Sequence, residues 1–255
     1  MAGSVPPFDP GRLRARLAPG LIWDLRHVAV TGSTNDDARA ADAGHGAVFL
    51  ADFQTAGRGA RGRTWQSPPG GSLLASVVLA PDPPLPAAAL TALGALALAD
   101  GLGTATGLEV LVKWPNDCVI HDRKVGGVLV ETTTGRAIIG LGANLNFPTG
   151  AIIDPDYPAT TASDELGAPC DREAVTAAVL NGLARLYGEL RADPGVLDSA
   201  WRERSSLIDR AVVLETESEA VRGVVVGFGE DGRLLLRLED GDEQSFVAGR
   251  VRLTG

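Results

Sequence analysis

The sequence predicts an α+β fold, with a larger domain of strands and helices at residues 1–206 and a small all-β module at residues 207–255. Three observations predict it. Short apolar runs of strand length alternate with Ala/Leu-rich stretches of helical periodicity through most of the chain. From about Leu207 the texture changes to short strand-like runs punctuated by Asp231-Gly232 and Asp240-Gly241, dipeptides that favour tight turns. The length, 255 residues, accommodates one sizeable core and one smaller unit.

In chain order, residues 23–30 form a strand-like run ending at Thr31-Gly32. Ser33 and Thr34 are then placed to cap a helix through Asp36, Asp37, Ala38 and Ala41, with acids in the first turn where the helix dipole favours them. Residues 46–53 and 72–79 read as strands, and the segment between them, 55–71, is too rich in Gly and Arg to pack as a core element. An Ala/Leu-rich helix, buried over a wide face, is expected at 86–102. Strands follow at 109–114, 117–120, 124–131 and 136–144, with His121-Asp122-Arg123 turning the second into the third. Residues 171–190 and 196–205 have helical periodicity. The last strands fall at 211–215, 221–228, 234–238 and 244–247. So small a module rarely folds robustly alone, so it is expected to dock on the larger domain.

Composition narrows the function. Apolar residues make up 45% and charged residues 22%, the balance of an ordinary globular protein. No apolar run is read as long enough for a bilayer span, and residues 1–10 lack the basic start and apolar stretch of a secretory signal. Two cysteines, Cys118 and Cys170, make neither a disulfide framework nor a metal cluster. The expected compartment is the cytoplasm, with no membrane partner and no metal ligands. A net charge of -9 disfavours nucleic acid as a partner. Against that background residues 53–81 hold no acid at all, while Arg58, Arg61 and Arg63 fall close together. A cationic island in an acidic chain fits a small anionic ligand, and equally a solvated loop.

Four segments carry chemistry. In Gly57-Arg58-Gly59-Ala60-Arg61-Gly62-Arg63, glycines let backbone N–H groups approach a ligand, and arginines offer forked donors for phosphate or carboxylate. No Gly-Lys-Ser/Thr follows, so this is not a Walker A loop, and the residues by themselves indicate anion binding only. Lys113, in Lys-Trp-Pro-Asn-Asp117, ends an apolar strand, where its charge needs either an anion facing it or an escape to the sheet edge. The paired glycines of Lys124-Val-Gly-Gly-Val-Leu-Val-Glu131 fit a bulge beside a flat ligand or tight strand packing. Asn144 and Asn146 close Gly140-Leu-Gly-Ala-Asn-Leu-Asn and suit either a polar base edge or an ordinary turn.

Their order is more specific than any one of them. Gly32-Ser33-Thr34-Asn35, Gln54-Thr-Ala-Gly-Arg-Gly59, Trp65, Lys113-Trp-Pro-Asn-Asp117, Lys124 to Glu131 and Gly140 to Asn144 together resemble the biotin protein ligase family, densely over residues 22–148. The resemblance implies a catalytic domain related to class II aminoacyl-tRNA synthetases and biotin–lipoate ligases, a mixed sheet carrying helices, with a small C-terminal SH3-like β-barrel. The resemblance is to the form of the family lacking an N-terminal helix-turn-helix domain.

The implied activity is ATP-dependent conversion of biotin to biotinyl-5′-AMP, then transfer to a lysine of the biotin carboxyl carrier domain of an acetyl-CoA or related acyl-CoA carboxylase. Biotin, ATP and Mg²⁺ are the implied small molecules, and the enzyme is expected as monomer or homodimer without specific DNA binding. By the same resemblance Ser33, Thr34, Asn35 and Gln54 hold the ureido ring, and Gly57, Gly59, Ala60, Gly127 and Leu129 line that pocket. Arg58 and Lys113 are the implied catalytic cations, contacting biotin's carboxylate and the α-phosphate. Arg61, Arg63, Trp65, Asn116 and Asn144 are implied on the nucleotide side, with Trp65 closing over the ligand and Asn144 reading adenine. Ala60 departs from the family pattern, in which ligase-repressors carry a further arginine, and this points to looser retention of the intermediate. Rival readings are a lipoate or octanoate ligase on the same scaffold, a biotin-responsive regulator and a noncatalytic biotin-binding module. Polar Ser33 to Asn35 and Gln54 favour a polar ring over an acyl chain, and about 20 residues before the first strand are too few for a helix-turn-helix.

Overall fold

A computed structural model describes residues 7–21, 24–151, 158–229 and 231–254. It begins with a helix the sequence reading passes over, α1 (Pro10–Arg14), started by Asp9, whose side chain accepts from the N–H groups of Gly11 and Arg12. Strand β1 (Asp24–Thr31) follows, and Trp23, the expected first residue of that run, lies outside the described residues. Helix α2 (Thr34–Ala40) is one residue shorter than expected, because Ala41 turns to an extended conformation. Strands β2 (Ala47–Gln54) and β3 (Ser72–Leu79) flank the glycine-arginine segment, which makes a tight turn at Ala60–Gly62 with Arg61 and Gly62 at positive φ.

Helix α3 (Ala87–Thr106) is apolar on nearly every side because it is enclosed. By length and composition it could cross a bilayer, which corrects the reading that no segment reaches that length. Its residues from Leu90 to Leu102 are largely sealed in the core. Next come β4 (Leu111–Lys113), β5 (Asp117–Ile120), β6 (Arg123–Thr133) and β7 (Arg136–Asn144). β4 is shorter than expected since only three of its residues have partners on β5. Between β5 and β6 His121 and Asp122 both adopt positive φ, making a two-residue hairpin turn in which Arg123 already belongs to the strand. Helices α4 (Ala162–Leu166), α5 (Arg172–Ala192) and α6 (Val196–Arg204) complete the larger unit.

The seven strands form one sheet in the order β1-β2-β3-β7-β6-β5-β4. Only β1 and β2 are parallel, so the sheet is mixed, as expected. The last five strands, β8 (Ala211–Glu215), β9 (Ala220–Phe228), β10 (Leu234–Arg237), β11 (Glu243–Phe246) and β12 (Arg250–Leu253), form a separate antiparallel sheet. β12 escapes the sequence reading since only Val251 of Arg-Val-Arg-Leu is buried, too little apolar pattern to mark a strand. This small sheet docks on the larger unit through one continuous apolar cluster, with Trp201 against Phe228 at 5.0 Å between ring centroids. Trp114 Nε1 donates to the Gly232 carbonyl across the same junction at 2.9 Å.

Candidate active site

The site is built where α2 begins. Ser33 is extended and occupies the cap position, yet its side chain makes no capping bond. That task falls to Gln54 at the end of β2, whose Oε1 accepts from the Thr34 N–H at 2.8 Å and from Thr34 Oγ1 at 3.1 Å. The expectation that Ser33 caps the helix is corrected accordingly: its side chain takes none of the orphan donors, and the neighbouring strand presents an amide oxygen to the first of them, the Thr34 N–H. Ser76 of β3, fully buried, donates to Asn35 Oδ1 at 2.5 Å and lies 2.7 Å from Thr34 Oγ1. Asn35 Nδ2 donates in turn to Glu131 at 2.8 Å. Three strands and a helix start are thereby locked around a polar floor.

Glycines on β7 make room above that floor. A Cβ on Gly140 would stand 2.5 Å from Asn35 Oδ1, and one on Gly142 would stand 3.0 Å from the Trp65 indole. The result is a cleft of about 490 Å³, open mouth included, lined by Ser33, Thr34, Asn35, Gln54, Arg58, Gly59, Ala60, Trp65, Asn116, Lys124, Gly127, Leu129 and neighbouring strand residues. The paired glycines differ in what surrounds them. A Cβ on Gly126 would press on the Gly142 carbonyl, which is tight packing, while Gly127 faces the cleft.

A second cavity of about 810 Å³, open space included, adjoins the first between the larger unit and the small sheet. Its walls carry Arg61, Arg63, Lys113 and Arg250, with Asp117 the one acid among its lining residues. Ala60 and Asn116 line both cavities and form their common wall. Asn116 is held there by donating to the Val128 carbonyl at 2.9 Å. Arg61 adopts positive φ, and its guanidinium donates to the Gly249 carbonyl of the small sheet, which ties the loop to that unit.

Electrostatics differ between the cavities. In the cleft, Arg58 pairs with Asp36 at 2.6 Å and Glu131 at 3.3 Å. Its hydrogen bonds to Asp36 raise its own pKa and lower that of the Asp36 carboxyl. Lys113 is buried, and burial pulls its pKa down to about 8, against the opposing pull of Asp117 and Asp122. Lys124 Nζ lies 2.6 Å from Asp117 Oδ1.

Most expected site residues meet here, with four departures. Lys113, implied as a biotin contact, stands in the second cavity, because β4 is an edge strand facing the small sheet. Trp65, implied on the nucleotide side, lies in the cleft over Gly142. Gly57 lines neither cavity. It lets the loop close on itself, as a Cβ would stand 2.6 Å from the Trp65 carbonyl. Asn144 also lines neither, and its amide donates to the Thr160 carbonyl at 3.1 Å. Arg58 and Lys113 therefore line two different cavities, which have Ala60 and Asn116 in common, and not a single one.

The sequence reading missed Ser76, Lys124 and Arg250. Lys124 was hidden by a bulge. Simple alternation sets Lys124 and Gly127 on opposite faces, but the register slips at Val125 and brings both to the cleft.

Comparison with known proteins places these features in context. Residues 28–144 match the biotin/lipoate A/B protein ligase family, and residues 207–253 match the biotin protein ligase C-terminal domain. The biotin–[acetyl-CoA-carboxylase] ligase of Mycobacterium tuberculosis is 35% identical over 249 residues, covering 91% of this chain and 90% of that protein. The enzyme of the same name from Paracoccus denitrificans is 32% identical, covering 82% and 92%. The bifunctional ligase/repressor BirA of Bacillus subtilis is 30% identical, and the match spans 66% of its length. Among solved structures, biotin protein ligase from Aquifex aeolicus in complex with biotin and ATP superposes with a TM-score of 0.79 at 27% identity, covering 90% of this chain and 99% of that one.

Proposed function

The chain belongs to the biotin protein ligase family, and from that premise we propose that it activates biotin with MgATP to biotinyl-5′-AMP and transfers biotin to a lysine of an acyl-CoA carboxylase carrier domain. The observation that carries this reading is the pair of adjoining cavities, one polar-floored and one cationic, with Arg58 and Lys113 on either side of their common wall.

In the cleft, Ser33, Thr34, Asn35 and Gln54 offer donors and acceptors to the ureido ring, and the strand backbone at Gly127 and Leu129 flanks it. A plain acyl chain has no groups to meet these polar side chains and favours an apolar tunnel instead, which disfavours lipoate or octanoate. The vitamin's carboxylate then points toward the wall. Its oxygen attacks the α-phosphorus while the bond to pyrophosphate breaks. Two anions meet in this step, and Arg58, Lys124 and Lys113 offset the repulsion. Arg61, Arg63 and Arg250 receive the leaving pyrophosphate. Mg²⁺ would enter on the ATP phosphates, as part of that substrate and with few protein ligands. Trp65 and the loop around Gly59 shield the mixed anhydride from water. In the second step the carrier's lysine amine attacks the acyl carbon, an amide forms, AMP departs and the amine's proton is lost.

The test is incubation with biotin, MgATP and a carrier domain, read by intact mass. One biotin added per carrier, dependent on ATP and absent with lipoate, is the expected result. An unmodified carrier, or preferential lipoyl transfer, would overturn the reading.

A further inference from the structure

Arg58 does not reach the cleft alone. Its guanidinium grips both carboxylate oxygens of Asp36, Nη1 donating to Oδ2 at 2.6 Å and Nη2 to Oδ1 at 2.8 Å. This fork-on-fork pairing fixes orientation as well as adding energy. Nη2 also reaches Glu131 at 3.3 Å. Glu131 takes Arg39 Nη2 at 2.6 Å, and Arg39 Nη1 returns to Asp36 at 3.1 Å. Two guanidiniums and two carboxylates thus close a ring drawn from α2, the glycine loop and β6. The ring touches the floor of the cleft, because Asn35 Nδ2 bonds the same Glu131 carboxylate at 2.8 Å.

As a support for the fold this ring is weak. The side chains of Asp36, Arg39 and Arg58 are 46%, 43% and 36% exposed, a setting in which solvent screens an ion pair and leaves it little net effect on stability. What the ring does restrain is a long side chain on a loop. Arg58 stands between two glycines, and an arginine carries rotamer entropy that a ligand would otherwise have to remove. A guanidinium has five N–H donors, so it can keep its hold on Asp36 while offering another edge to a phosphate or carboxylate. Once the ligand's own anion is bound, it helps orient Arg58, so the restraint acts on binding more than on the chemical step.

We propose that Asp36, with Glu131 behind it, is a positioning residue that presents Arg58 to the cleft before ligand arrives and so sets how long biotinyl-5′-AMP is retained. The inference rests on the function proposed above, in which Arg58 contacts that intermediate. It also bears on Ala60, since the retention expected from a further arginine in the loop would fall instead to an anchored Arg58.

The experiment uses the full chain loaded with labelled biotin and MgATP without carrier, with adenylate release followed after rapid gel filtration. Asp36→Ala should release the intermediate about three- to tenfold faster and raise KM for biotin by a similar factor. Its kcat for adenylation should stay within about twofold of the parent, its melting temperature should hold, and Asp36→Glu should restore most of the retention. Asp36→Asn, which keeps the side chain's shape, provides the same comparison if the alanine variant folds poorly. Retention equal to the parent in both variants would overturn the inference while leaving the ligase reading intact. Parallel losses in kcat and melting temperature would also overturn it, by marking Asp36 as structural. Failure of the parent chain to form any adenylate would overturn both.

Discussion

At Lys113 burial and charge pull in opposite directions. The apolar end of β4 lowers the ammonium's pKa to about 8, while its proposed task is to meet phosphate as a cation. The sign of the pH effect follows. Below pH 8 the side chain in the free protein is charged and attracts ATP; as pH rises through 8 it loses its proton and the attraction fades. Hence kcat/KM for ATP in biotin-dependent pyrophosphate exchange should fall above about pH 8. In Lys113→Arg the guanidinium stays protonated, so that break should move upward or vanish. A parent profile flat to pH 10 would remove Lys113 from the phosphate-binding group. Other residues show what sequence makes legible. Arg58, Thr34, Asn35 and Gln54 were readable because each sits in a short ordered motif. Ser76 lies in an apolar run and gives no such signal, although its hydroxyl joins Thr34 to Asn35. Lys124 was concealed by the slip in strand register at Val125.

Among the elements, α3 depends on backbone approach more than on side-chain volume. A Cβ on Gly101 would stand 2.4 Å from the Val179 Cα of α5, an atom that cannot swing aside. Gly101→Ala should therefore lower the urea midpoint, costing about 1–3 kcal/mol with little change in m. An unchanged midpoint would mean the two helices can separate freely. Elements with long apolar runs or helical periodicity, such as β3, β7 and α5, were visible in the sequence because most of their length is packed. The misses have the opposite character. α1 is a single turn held by its Asp9 cap and by the Asp9 N–H bond to Glu173, and β12 buries one residue of four. The α1 cap is a local signal, Asp9 ahead of Pro10, that went unread, whereas β12 depends on pairing with the distant β8, which no local pattern reports. Helix α2 shows the same effect at its start, where the capping oxygen comes from Gln54 and not from the expected Ser33.

For the whole molecule, the consequence is that the cationic cavity exists only where the small sheet meets the larger unit. Arg61 reaches the Gly249 carbonyl, Trp114 reaches the Gly232 carbonyl, and Arg250 completes the ring of cations around Lys113. One apolar cluster runs through both units. The two cavities are distinct but share the wall of Ala60 and Asn116, a spacing suited to a ligand with a ring at one end and phosphates at the other. The most direct measurement of this account is a crystal structure of the chain with a non-hydrolysable biotinyl-adenylate analogue. It should show the bicyclic ring among Ser33, Thr34, Asn35 and Gln54, with the phosphate at the common wall between Arg58 and Lys113. An analogue seated elsewhere, or a phosphate contacting neither side chain, would contradict it.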